Sequence, residues 1–131
     1  MHLTNRKLFL LVTALVEVAT GLCLVLLPAA LFGLLLGLEH VGVDASFVAR
    51  IAGIALIAIG IASWMARADA FNPAQRGLLT GILIYDAAAS ALLAFAGIVL
   101  KMIGVLLWPA VALHAMLTIW CLGCLRPDRP A

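Results

Sequence analysis

The chain has 131 residues, of which 66% are hydrophobic and only 11% charged, whereas soluble globular chains carry about 45–50% apolar and about 25% charged residues. That composition excludes an ordinary soluble domain and indicates an integral membrane protein, with room for four spans of about 20 residues and no large extramembrane domain between them. A formal net charge of +2, with eight Lys and Arg scattered along the chain, excludes a basic nucleic-acid surface.

Arg6 and Lys7 precede a long apolar run, which is the outline of a signal peptide. Glu17 interrupts the run, no small-x-small site follows it cleanly, and it is longer than a signal-peptide core, so a retained first span over residues 7–27 is expected. Leu22 stands where a lipoprotein cleavage before Cys23 would need a small residue. Pro28 then ends or kinks the helix. Thr13 and Thr20, at i−4 and i+3 from Glu17, lie on the same side of it. The three make a polar stripe that should face protein rather than lipid.

The stretch after Pro28 is too short to cross and return, and is read as a half-helix or interfacial segment followed by a polar loop with Glu39, His40 and Asp44. These loop groups lack metal-ligand spacing and are taken as solvated charges, so no metal site is predicted. Asp44 or Ser46 is available as the N-cap of a second span over residues 45–66. In that span Ala49, Gly53 and Gly60 allow close backbone approach. Arg50, near its start, can snorkel outward or serve as an outer gate or counter-ion to a carboxylate.

Residues 67–76 form the clearest surface loop. The third span, residues 77–99, carries a GxxxG at Gly77 and Gly81 that suits either internal packing or dimerisation. Asp86 lies well inside it, with Ser90 one turn beyond; Tyr85 points to another part of the helix surface and is assigned to packing. Lys101 marks a tight reversal before a fourth span over residues 103–122, where His114, Thr118 and Cys121 share one face and Trp108 and Trp120 lie toward the ends. Cys23, Cys121 and Cys124 all fall in helices, so no disulfide framework is indicated, and the CxxC of Cys121 and Cys124 reads as a pair of apolar fillers. Residues 126–131 are expected to fray.

The expected architecture is therefore all-α: one integral membrane domain forming an antiparallel four-helix transmembrane bundle. Arg6, Lys7, Arg67, Arg76, Arg126 and Arg129 fall on one side, Arg50 and Lys101 toward the other. The positive-inside rule puts both termini in the cytoplasm of a bacterial-type inner membrane. With a rise of about 1.5 Å per residue, Glu17, Asp86 and His114 all come about 13–15 Å deep. Facing lipid separately they would cost on the order of 8–10 kcal/mol, comparable with the whole stability of a small domain. Pairing inside the bundle is the economical arrangement. Glu17, Asp86 and His114 are thus the candidate acid/base or proton-exchange cluster, and Thr13, Thr20, Arg50, Ser90 and Thr118 are candidate ligand-facing residues.

The run LVEVATG around Glu17 resembles the first helix of the small multidrug resistance transporters, in which a membrane glutamate exchanges protons for a lipophilic cation; the likeness covers that helix alone. Over most of the chain, the glutamate of the first span, the proline-ended apolar stretch, RIAG at Arg50, LIYDAAASALLAFAG and LLWPAVALHAMLTIW are similar to small four-helix bacterial membrane proteins grouped loosely with the DoxX-like families. That resemblance implies a lipophilic redox partner. Three functions are compatible with the residues: a site for a lipophilic ligand, quinone-like or lipid, with acid/base capability; a proton-coupled small-molecule transporter; or a non-catalytic membrane subunit. The expected partners are the bilayer, a lipophilic small molecule, and a second copy or a membrane-complex partner, with no nucleic acid. Cofactor, ligand identity and any redox role of the cysteines stay open at this point.

Overall fold

A computed structural model describes residues 2–126. It is all-helical: α1 (His2–Leu26), α2 (Pro28–Leu36), α3 (Val43–Ala66), α4 (Pro73–Ile98) and α5 (Leu107–Leu125). All but the nine-residue α2 are long and apolar enough to cross a membrane. The tail beyond Arg126, including Arg129, lies outside the described residues.

The burial pattern suits a bilayer rather than water. Ile119 is 72% and Leu92 69% exposed, whereas Thr13, Glu17 and Asp86 are all at or below 1%. Apolar side chains turned outward meet lipid, and polar ones must find partners inside.

The four spans alternate in direction. At one end, Trp120 donates its indole N–H to Asn5 Oδ1 at 2.8 Å, and the Arg6 guanidinium bonds the carbonyls of Cys124 and Arg126 at 2.9 and 3.0 Å. Arg6 also stacks on Phe71 of the α3–α4 connection, 4.0 Å from the ring centroid. One cation thus covers the exposed carbonyl end of α5, where positive charge is favoured, and ties the start of α1 to two other segments. At the opposite end, α2 folds back and the Leu106 N–H bonds the Leu34 carbonyl at 2.9 Å.

Local chemistry sets the helix limits; α1 begins at His2 and α5 runs on to Leu125, beyond the expected spans, and three further departures from the sequence expectation have a local cause. The loop expected over residues 67–76 is shorter, because Asn72 caps α4 by accepting from the Gln75 N–H at 2.8 Å, and Pro73 occupies the first helical position, where no N–H is needed. The last span begins at Leu107 rather than residue 103. Pro109 has no N–H to return to the Val105 carbonyl, and residues 101–106 are drawn instead against α2. Within that stretch Lys101 adopts a left-handed conformation with φ 56°, and a side chain on Gly104 would run into the Leu35 carbonyl. Finally, neither Asp44 nor Ser46 caps α3. The helix starts earlier, behind Gly42, and Asp44 sits in its first turn, where its charge complements the helix dipole.

The bundle consists of two tightly joined pairs. In the first, α1 and α3 meet through small residues: a Cβ on Gly53 would come within 2.6 Å of the Gly21 carbonyl oxygen, and one on Gly60 within 2.7 Å of Val18 Cγ2. In the second, three polar rungs join α4 to α5, as Cys121 Sγ donates to the Leu79 carbonyl at 3.2 Å, Asp86 meets His114 at 2.8 Å, and Ser90 Oγ donates to the Val111 carbonyl at 3.2 Å. The pairs join over an apolar core near the terminal end, built around Phe9, Leu10, Leu79, Ile82 and Leu117. Phe9 and Trp120 pack there edge to face at 5.5 Å. By contrast Gly77 and Gly81 are exposed and nothing approaches their would-be Cβ atoms. The GxxxG therefore plays no part in packing within the chain.

This division makes a direct prediction. Gly53→Leu must push the α1 and α3 backbones apart and should lower resistance to unfolding in detergent by about 1–3 kcal/mol. Gly81→Leu should stay within about 0.5 kcal/mol of the parent. Equal losses in the two variants, read from matched denaturation curves, would contradict the seam.

Candidate functional site

The geometry near mid-span begins with α4. Asp86 lies on the face of α4 turned to the bundle and is 0% exposed. Its Oδ1 is 2.8 Å from His114 Nδ1, and the imidazole is itself only 13% exposed. The rungs at Ser90 and Cys121 set the register of α4 against α5 on either side of this pair. Thr118 Oγ1 donates to the His114 carbonyl at 2.8 Å, which engages that hydroxyl within its own helix.

Glu17 enters from α1. It is 1% exposed and close enough to Asp86 and His114 for a direct electrostatic interaction with each. Among the described residues, three side-chain oxygens here are buried without a hydrogen-bond partner: Thr13 Oγ1, Glu17 Oε1 and Asp86 Oδ2. A buried polar oxygen left unpaired costs about 1–3 kcal/mol.

Tyr85, assigned to packing from its neighbouring position on α4, packs its ring edge to face against His114 with centroids 5.7 Å apart. It also interacts electrostatically with both carboxylates. The approach of His114 between the Tyr85 and Asp86 directions brings both residues to the same imidazole. A single helix read alone could not show this. Arg50, in contrast, is exposed on α3, makes no hydrogen bond or ion pair among the described residues, and does not join the cluster.

Beside the cluster, toward the α2 end, lies a cavity of about 260 Å³. Its walls include Thr20 of α1, Leu31 and Leu35 of α2, Leu93 of α4, and Leu113 and His114 of α5. His114 is thus shared: its Nδ1 is held by Asp86, and the same residue lines an apolar space. Thr20, half-buried, has no hydrogen-bond partner among the described residues. The leucines of α2 were invisible as site residues in the sequence, since only the fold-back at Pro28 and the contact of Gly104 with α2 bring them over the cavity. Among the described residues no group of three or more His, Cys, Asp or Glu side chains is disposed to hold a metal ion. Chemically, the arrangement offers an acid/base pair at the polar end of an apolar cleft.

Compared with known proteins, the chain matches no family model, no curated protein and no solved structure.

The strength of the central pair can be measured. A double-mutant cycle with Asp86→Asn and His114→Gln should return a coupling of at least about 1 kcal/mol, because this 2.8 Å bond lies in a buried, low-dielectric setting and should exceed the average of about 0.6 kcal/mol for interhelical hydrogen bonds in membranes. A coupling at or below that average would reduce the pair to ordinary helix packing.

Proposed function

We propose that this multi-pass membrane protein binds a lipophilic small molecule in the cavity beside His114, and that Asp86 and His114 hold and exchange a proton at its polar end. The observation that carries the proposal is the double use of His114, hydrogen-bonded at Nδ1 to a fully buried carboxyl group and counted among the residues that line an apolar cavity. A carboxylate that orients an imidazole leaves the second ring nitrogen to act on whatever lies in front of it. Leucines from three helices cover the apolar body of such a ligand, as small-molecule sites generally do. The basic end, with Arg6, Lys7, Arg67, Arg76 and Arg126, faces the cytoplasm of an inner membrane in this reading, and the α2 end faces out.

A second reading, proton-coupled transport, is favoured by the unpaired oxygens of Glu17 and Asp86. Two carboxylates within electrostatic reach, each with a free oxygen, can exchange a proton for a bound substrate.

Protein purified in mild detergent should retain an apolar molecule detectable by native mass spectrometry and by organic extraction, and Leu93→Trp, which fills the cavity, should lose it. Purified protein with no retained molecule, and no difference between it and the Leu93→Trp variant, would count against the site. The two readings separate on Glu17→Gln. Transport predicts proton release on substrate binding that this variant abolishes, whereas a binding site centred on His114 retains its ligand.

A further inference from the structure

The cavity side of His114 has a definite polarity, and this narrows the ligand; the argument rests on the cavity being a binding site. Asp86 and Tyr85 from α4 meet the imidazole directly and Glu17 from α1 acts on it electrostatically, while Thr13 on α1, Ser90 on α4, and Thr118 and Cys121 on α5 lie within one or two helical turns of these groups along their helices. Three of them are already committed, since Ser90, Thr118 and Cys121 donate to backbone carbonyls. No Lys or Arg reaches the cluster among the described residues. Arg50 is exposed, and Arg6 is engaged at the terminal end with the carbonyls of Cys124 and Arg126.

Two carboxyl groups and one imidazole therefore have to settle their charge among themselves. An uncompensated charge in an apolar interior is the most unfavourable state open to such a group, so the arrangement these surroundings favour is one in which the protons of the three groups leave no net charge. The consequence for the ring does not depend on where they sit. If the proton of the Asp86–His114 bond is on the imidazole and the ring is cationic, both nitrogens carry hydrogen. If Asp86 holds it, the carboxyl donates to Nδ1, a better acceptor than a neutral carboxyl oxygen, and the ring hydrogen is on Nε2.

We infer that His114 Nε2–H is a hydrogen-bond donor directed at the cavity, and that the ligand is an apolar molecule whose head is a neutral acceptor, a carbonyl of the ketone, quinone or ester kind. Thr20, on the same wall, can supply a second donor. A lipophilic cation is disfavoured, because the residues bordering the cavity include neither Glu17 nor Asp86 and the cluster has no net negative charge to hold it. The cavity of about 260 Å³ takes the head and the first part of the chain, being slightly below the roughly 300–1,000 Å³ of pockets that enclose drug-sized ligands.

The test uses the whole protein in lipid nanodiscs with three probes: a carbonyl-labelled long-chain methyl ketone, the hydrocarbon of equal length, and tetraphenylphosphonium. The ketone should bind about tenfold more tightly than the hydrocarbon, as expected for one hydrogen bond. Its carbonyl stretch should move to lower wavenumber, and the nitrogen spectrum of His114 in the unmutated protein should show a proton on Nε2 whose resonance shifts as ketone is added. His114→Phe should lose most of the preference for ketone over hydrocarbon. Equal binding of ketone and hydrocarbon by the parent protein would overturn the donor assignment while leaving the cavity as a site. Preferential binding of tetraphenylphosphonium would overturn the neutral cluster. If Leu93→Trp and the parent bind all three probes identically, the cavity itself is not the site and the inference falls with it.

Discussion

The structure depends on one constraint: a carboxylate in the middle of a membrane span must be answered from within the bundle. Asp86 is answered by His114 at 2.8 Å, and the rest of the α4–α5 contact keeps that distance. The rungs on either side, Leu79 with Cys121 and Ser90 with Val111, are individually weak, yet together they fix the rotation and register of two helices that have little hydrophobic drive to associate in lipid. Polar chemistry therefore does for α4 and α5 what close glycine contacts do for α1 and α3.

These two modes of packing give the halves of the bundle different properties. The α1–α3 seam is a backbone-to-backbone fit that admits no added atom at Gly21, Gly53 or Gly60 without displacement. It presents Glu17 and Thr20 from a fixed helix. The α4–α5 pair leaves room beside His114. Closing that room falls to α2, which is bounded by Pro28 and by the left-handed Gly37 at φ 72°, and which contributes side chains but no span. The cleft thus lies where the short helix stands in for a full one.

Much of this was legible in the residues. Composition and span length specified the class, and counting residues from the basic end put Glu17, Asp86 and His114 at a common depth before any contact was known. Helix starts were less legible, although their signals were present. Asn72–Pro73 is a capped helix start, and Pro109 forbids a helix running through Val105, but continuous apolar sequence on both sides masked them. Arg50 looked able to reach a carboxylate because spacing along one helix says nothing about which way that helix is turned. For the same reason, the packing partner of Tyr85 could not be read from α4 alone; it is the same His114 that Asp86 binds.

The sequence by itself determined that four apolar spans must enclose three ionisable groups, because the bilayer penalises each such group wherever it stands and the penalty follows from residue type and depth alone. Only the tertiary structure decided which groups touch. It paired Asp86 with His114, brought Tyr85 onto the imidazole, left Arg50 outside, turned the GxxxG away from the bundle, and laid α2 over the cavity. Those outcomes follow from helix rotation and from backbone contacts such as Gly53 against Gly21 and Gly104 against Leu35. Such contacts join residues far apart in the chain, and no local pattern encodes the angle at which two cylinders meet.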